Sequence, residues 1–313
     1  MSVKMFQYNQ ILAFYRSGVD LDPKNTVRIR VSVEMDAASP LYNPTMELRN
    51  AILEGRWEDV LPSAPSGSVS LVVMDPPYGA IPAIWDRRPD WILLMSELGR
   101  VCGDTGQYWC FVRMPWAMDV YSAAIANGWQ WVQEVIWEKQ NAGGCTVGTF
   151  RKVHENIWHF KRKCARTFNL EAVRVPKITS GDKSVRRRKD STTQFLGANN
   201  SAYCDDGMRL PRSVIRCRNI HRSKESLGHP TQKPLGIVIP LVLYSSNPGD
   251  LILDPFCGTG TSLVAAKMHS RRWLGVESDP KWLKVARDRL DSTAVLELGT
   301  SEEPQGETDL FAE

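Results

Sequence analysis

The sequence predicts an α/β fold built on a mostly parallel sheet. Two observations carry that prediction. Short apolar runs alternate with helical stretches of about ten residues, the rhythm of βαβ units. Three of the runs stop at an acidic residue, Asp75, Asp254 and Glu277, where the chain turns. In open α/β sheets, ligands bind beyond the carboxyl ends of the strands, so these three ends are the first places to look for chemistry.

Taken in order, residues 1 to 45 give mixed signals. Phe6, Ile11, Leu12 and Phe14 suit a short helix, Asp22 to Asn25 a turn, and Val27 to Val33 alternates like a strand. From Met46 the pattern becomes regular. Met46 to Leu53 fits a strand or a helix, and Ser66-Gly67 is a turn. Val69 to Met74 is a β-branched apolar run expected of a buried parallel strand. Residues 90–101 and 116–127 are predicted helical. Residues 106–113, 131–137 and 157–160 are predicted strands. Residues 161 to 228 are polar and basic and break the rhythm, which resumes after His229 with a helix over 234–246. A strand at 251–253, a helix over 261–269 and a strand at 273–276 follow. Asp279 then caps a helix that opens with Pro280 and runs to about Leu290. From Leu296 the tail is acidic, with no basic residue, and is expected to be disordered. The expected organisation is therefore an extension at 1–45, a first half at 46–160, a basic insert at 161–228, a second half at 229–295 and an acidic tail at 296–313.

Composition excludes several classes. The 313 residues are 42% apolar and 24% charged, ordinary for a soluble globular chain. No run of about 18 apolar residues exists, so no membrane span is expected, and the N-terminus lacks a signal-peptide core. The seven cysteines are scattered and form no CxxC pair, which argues against a zinc site and fits a reduced, cytoplasmic compartment. The net charge of +4 is uninformative as a total. Residues 151–225 hold 19 basic and 7 acidic residues, net +12, and the rest of the chain holds 20 and 28, net −8.

Two motifs carry the chemistry. In LILDPFCGTGT, residues 251–261, a strand ends in Asp254 and two glycines lead into a helix, so a ligand can approach the backbone at Gly258 and Gly260. The spacing is neither that of a P-loop nor the full dinucleotide fingerprint. Glu277 ends the next strand, and a carboxylate there can accept hydrogen bonds from both ribose hydroxyls. In DPPYG, residues 75–79, Pro76 and Pro77 fix φ and remove two donors. The Asp75 carboxylate and the Pro76 carbonyl become adjacent acceptors, suited to an exocyclic amino group. Tyr78 offers a flat face for stacking on a base.

DPPYG followed by HPTQKP (229–234) and DPFCGTGT resembles the S-adenosylmethionine-dependent DNA amino-methyltransferases, in the motif order of their permuted β group. The likeness runs from about Met46 to Leu290 and includes VIWEKQN and His154-Glu155. It implies a Rossmann-like class I methyltransferase fold with a mostly parallel seven-stranded sheet and an inserted target-recognition region. By resemblance, Asp254, Phe256, Gly258, Gly260 and Thr261 hold S-adenosylmethionine, with Glu277 on its ribose. Thr231 and Lys233 flank the same pocket, and Lys233 could neutralise the cofactor's carboxylate. Asp75, Pro76, Pro77 and Tyr78 hold a target base flipped out of the duplex. No metal is implied. One departure stands out: Arg56 follows Gly55 where the family usually has Asp, so either another residue, such as Glu54 or Asp59, serves the adenine, or that contact is lost.

The basic insert lies where the family keeps its target-recognition region, which implies contact with double-stranded DNA through Arg186, Arg187, Arg188, Lys189, Arg212, Arg216 and Arg218. Asp75 at the head of the motif favours N6 of adenine over N4 of cytosine. A catalytically inactive DNA-binding relative is the rival from another class, and an enzyme for protein or RNA amines a third reading. The resemblance leaves both a homodimer and a cognate restriction enzyme open, in a prokaryotic or phage-infected cell.

Overall fold

The computed structural model describes residues 50–79, 86–140, 148–176, 208–220 and 223–296. The expectations for residues 1–45, for the cluster at 186–189 and for the acidic tail beyond Leu296 lie outside these residues.

Ten strands are described: β1 (Ala51–Glu54), β2 (Leu71–Met74), β3 (Gln107–Val112), β4 (Gln130–Glu138), β5 (His154–Lys161), β6 (Val175–Pro176), β7 (Met208–Arg209), β8 (Val214–Arg216), β9 (Leu251–Asp254) and β10 (Arg272–Glu277). Eight of them form one sheet in the order β1-β10-β9-β2-β3-β5-β4-β8, and β6 and β7 pair separately. From β1 to β3 every pairing is parallel. Strand β5 then runs antiparallel between β3 and β4.

Seven strands were expected, and the sheet has eight. The extra strand is β8, which comes from the basic insert and pairs in parallel with β4, Val214 opposite Ile136 and Arg216 opposite Glu138. It is three residues long and its burial alternates, so it offers no apolar run to detect. Ile215 and Cys217 face the core, whereas Arg212, Val214, Arg216 and Arg218, of opposite parity, are exposed.

Among the described residues, five helices of eight residues or more flank the sheet: α1 (Trp91–Cys102), α2 (Ala117–Ala126), α3 (Leu235–Ser245), α4 (Thr261–Met268) and α5 (Pro280–Ser292). The side-chain alternation of β2 and β3 divides the core. Val72, Met74, Tyr108, Cys110 and Val112 pack with Leu94, Leu98 and Val120 from α1 and α2. Leu71, Val73, Trp109 and Phe111 pack with Ile237, Leu241 and Val242 from α3. Both faces are covered, so both strands are buried along their whole length and apolar except at Gln107. The predicted cap of α5 forms: Asp279 accepts from the backbone N of Lys281 at 2.8 Å, and Pro280 opens the helix.

The order of the strands places the site. The chain steps from β9 through α4 outward to β10, and from β2 through α1 outward to β3 on the other side. Strands β9 and β2 are neighbours, so the winding reverses between them. That reversal opens a crevice at the carboxyl ends of the strands, where Asp75 and Asp254 stand.

Candidate active site

A cavity of about 810 Å³ lies over that crevice. Its size is within the range of small-molecule sites. Asp75, Pro76, Pro77 and Tyr78 line it from β2, Asp254, Phe256, Gly258 and Thr261 from β9, Glu277 from β10, and Thr231 and Lys233 from the segment before α3. Two motifs 176 residues apart in the chain therefore share one pocket because their strands are adjacent.

On the cofactor side, Glu277 holds the loop. One of its oxygens accepts from the backbone N of Gly258 at 2.8 Å, the other from the backbone N of Asp279 at 2.8 Å. A carboxylate has about four lone-pair sites, so acceptor capacity remains for ribose hydroxyls. Asp254 is buried, accepts from the backbone N of Phe256 at 3.0 Å and is hydrogen-bonded by the Ser262 hydroxyl. Burial pushes its carboxyl up to about 7, against the pull of those two donors. Gly258 has φ +51°, and a Cβ there would sit 3.5 Å from His229 Nε2 at the pocket wall. Gly260 is different. Its φ is +74°, but a Cβ there would meet Ala286 of α5 at 3.2 Å, and the residue is buried off the pocket. It serves the packing of loop on helix rather than the wall expected of it.

S-adenosylmethionine fits this half of the cavity. The donor set is an acid for hydroxyls, exposed loop backbone, and the apolar surfaces of Phe256, Val276 and Trp282 for a flat ring. Trp282 was not anticipated, although its place in the first turn of α5, after Pro280, brings it to the strand ends. It meets His229 edge to face at 4.4 Å. His229 Nδ1 accepts from the backbone N of Thr231 at 3.2 Å, and burial pushes the imidazole down to about 4. It is neutral at pH 7, with its proton on Nε2.

Arg56 bonds Glu58 at 2.6 Å, and both line the pocket. Glu54 and Asp59, the expected substitutes for the missing Asp, are exposed and outside the lining. Glu58, paired with Arg56, is the carboxylate of this segment that lines the pocket.

On the acceptor side, Tyr78 is fixed at both ends. Its backbone N and that of Gly79 donate to the buried Asp86 carboxylate at 2.8 and 2.9 Å. Its hydroxyl lies on the Phe111 carbonyl and 3.1 Å from Asp75 Oδ1. Asp75 Oδ2 is paired with Lys233 Nζ. The Lys233 ammonium lies against two acids, Asp75 and, at 3.6 Å, Glu155 Oε2. It was expected to be available to a cofactor carboxylate, and instead it is paired with Asp75 and Glu155. Burial works to lower its pKa, and the two carboxylates outweigh that and hold it above the ordinary lysine value. Asp75 has only one cation and a second carboxylate nearby, so burial wins and its carboxyl is raised.

Of the expected DNA contacts, Arg212, Arg216 and Arg218 are exposed at the β8 edge, far along the sheet from the glycine loop. Arg216 is paired with Glu138 at 2.9 Å. Among the described residues, no cluster of His, Cys, Asp and Glu could hold a metal ion, and no helix is long and apolar enough to cross a membrane.

The model of the N6/N4 DNA methylase family matches residues 69–288. Among characterised proteins, the chain is 28% identical to the type II methyltransferase M.HinfI of Haemophilus influenzae over 77% of this chain and 68% of that one. It is 27% identical to the type II methyltransferase M.HpaI of Haemophilus parainfluenzae over 72% and 69%. Among solved structures, an M1.HpyAVI–SAM complex superposes with a TM-score of 0.52 at 19% identity, covering 76% of this chain and 98% of the other. The cytosine-N4-specific PvuII DNA methyltransferase superposes with a TM-score of 0.56 at 16% identity, covering 77% and 86%.

Proposed function

The chain belongs to the N6/N4 DNA methylase family, methyltransferases of DNA that use S-adenosylmethionine, and from that premise we propose that it methylates the N6 amino group of adenine in a flipped-out base. The observation that carries this reading is the single cavity in which the DPPY turn and the glycine loop face each other across the reversal point of the sheet.

When bound, S-adenosylmethionine supplies an electrophilic methyl group on a sulfonium. The protein's part is to present a nucleophilic amine to it. Tyr78, anchored by Asp86 through its backbone and by the Phe111 carbonyl through its hydroxyl, gives the extruded base a rigid stacking face. Asp75 and the Pro76 carbonyl accept the two amine hydrogens. That geometry draws the nitrogen lone pair out of conjugation with the ring. Positive charge then develops on the nitrogen beside the Asp75 carboxylate, where a preorganised anion stabilises it. Glu277, Asp254 and the backbone at Gly258 orient the donor, and the walls hold both reactants in one small volume, which contributes by positioning. Arg212, Arg216 and Arg218 meet the duplex beside the sheet edge.

The assignment to adenine rests on the acidic residue at the head of the motif. DNA methylated by the purified chain is digested to nucleosides and the product identified by mass. N6-methyladenine is the expected product, and N4-methylcytosine alone would overturn it.

A further inference from the structure

Four charges of alternating sign run into the pocket from its side: Lys139, Glu155, Lys233 and Asp75. Lys139 bonds one oxygen of Glu155, Lys233 stands 3.6 Å from the other, and Lys233 closes the row on Asp75. All four side chains are largely shielded, from 11% exposed at Lys233 to 27% at Glu155. At such depth, charge–charge interactions are much stronger than in water. The row exists because of strand direction. Strand β5 is antiparallel to β3, so its first residues lie at the carboxyl edge of the parallel strands, and from there Glu155 reaches Lys233 at the pocket wall. Lys139 follows β4 directly and is hydrogen-bonded through its backbone N to Val153 O at 2.7 Å.

We propose that Glu155, held by Lys139, is a positioning residue for methyl transfer: it shares the Lys233 ammonium with Asp75, so that Asp75 stays oriented yet remains basic enough to take the proton that the amine releases. This rests on the reading of Asp75 as the acceptor of the amine hydrogens. In the step, the nitrogen lone pair forms the new N–C bond, and the C–S bond breaks with its electron pair going to sulfur. The cationic nitrogen then loses one proton to the Asp75 carboxylate, which passes it to solvent. A carboxylate fully neutralised by its own lysine would be a weak acceptor for that proton. With Glu155 drawing on the same ammonium, the neutralisation is partial. Burial raises the Asp75 carboxyl and Glu155 adds to that, whereas Lys233 opposes it. The other groups facing Asp75 are Tyr78, Cys110 from β3 and Asp254 from β9. Glu155 also faces Lys152.

The test is the single-turnover methylation rate as a function of pH. Loss of the Glu155 charge leaves Lys233 to Asp75 alone, so in Glu155→Gln the acid limb moves to lower pH, by about one unit, and the plateau rate falls. Lys233→Met removes the opposing cation, and Lys139→Met releases Glu155 to draw harder on Lys233. In both, the limb moves to higher pH. Glu155→Asp restores part of the wild-type profile. Cofactor binding by calorimetry stays unchanged in Glu155→Gln, and if that variant fails to bind, Lys139→Met carries the test. Shifts in the same direction for the Glu155 and Lys233 variants, or an unmoved limb with Asp75→Asn inactive, overturn the role of Glu155 alone. A fully active Asp75→Asn overturns the reading beneath it.

Discussion

Asp75 meets three different partners in a space of a few ångströms: an ammonium on one oxygen, a phenol near the other and, in the proposed reaction, an amine. Its charge is what the transition state needs, so Asp75→Asn, which keeps shape and hydrogen-bonding oxygen but not charge, is expected to lower the methylation rate about 10²- to 10³-fold. Calorimetry should show unchanged S-adenosylmethionine affinity in the same variant, because the cofactor residues lie on β9 and β10. Asp75 and Tyr78 were legible in the sequence as residues of the pocket, and their roles as acceptor and stacking face are part of the proposal. The anchoring of Tyr78 by Asp86 was not legible, since nothing in DRRPD marks one acid among the charged residues around it as buried.

Glycines that look equivalent in a motif separate once the elements pack. Gly258 forms the wall of the cavity, whereas Gly260 lies against Ala286 of α5. Gly260→Ala is therefore expected to destabilise the fold, by about 1–2 kcal/mol for the left-handed backbone alone and further for the close contact, as measured by urea unfolding. The edge strand makes a second element-scale prediction. Arg212, Arg216 and Arg218 share one exposed face with Val214. If that face meets phosphates, Arg218→Ala weakens DNA binding on all sequences and reduces the slope of log affinity against log salt by about 1. A change in sequence preference with an unchanged slope would instead make it a base contact. Most boundaries of the main elements lay within two or three residues of expectation, because they rest on periodicity and on caps such as Asp279-Pro280. Strand β8 escaped, since three residues at a sheet edge need no apolar run.

At the scale of the molecule, two titratable groups beside the cavity, the buried Asp254 and the half-buried His229, act on stability in opposite senses. Asp254 has its carboxyl raised from 3.8 to about 7 in the folded state. Between those values the folded chain holds a proton that the unfolded chain has released, so this group's contribution to stability is lost as pH rises through the window. His229 is lowered from 6.5 to about 4. It must give up its proton to fold, and its contribution is gained as pH rises over the same interval. Denaturant unfolding across pH 4 to 7 should show the stability of the wild type falling relative to Asp254→Asn. A constant difference between the two would contradict the assignment. The net charge of +4 conceals a similar opposition, since it sums a +12 stretch at 151–225 and a −8 remainder.

The sequence by itself determined the class of chemistry. Local patterns suffice for strands, helices, an acid at each of three strand ends and two motifs with their residue types, because these depend on neighbours along the chain. Tertiary structure alone decided which of those residues touch. Lys233 lies 158 residues from Asp75 and 78 from Glu155, and only the order and direction of β9, β2, β3 and β5 bring the three together. A lysine in the sequence is a charge without an address. Its partners are set by strand pairing, and those pairings are cooperative over the whole sheet, so they are not written into any short stretch of the chain.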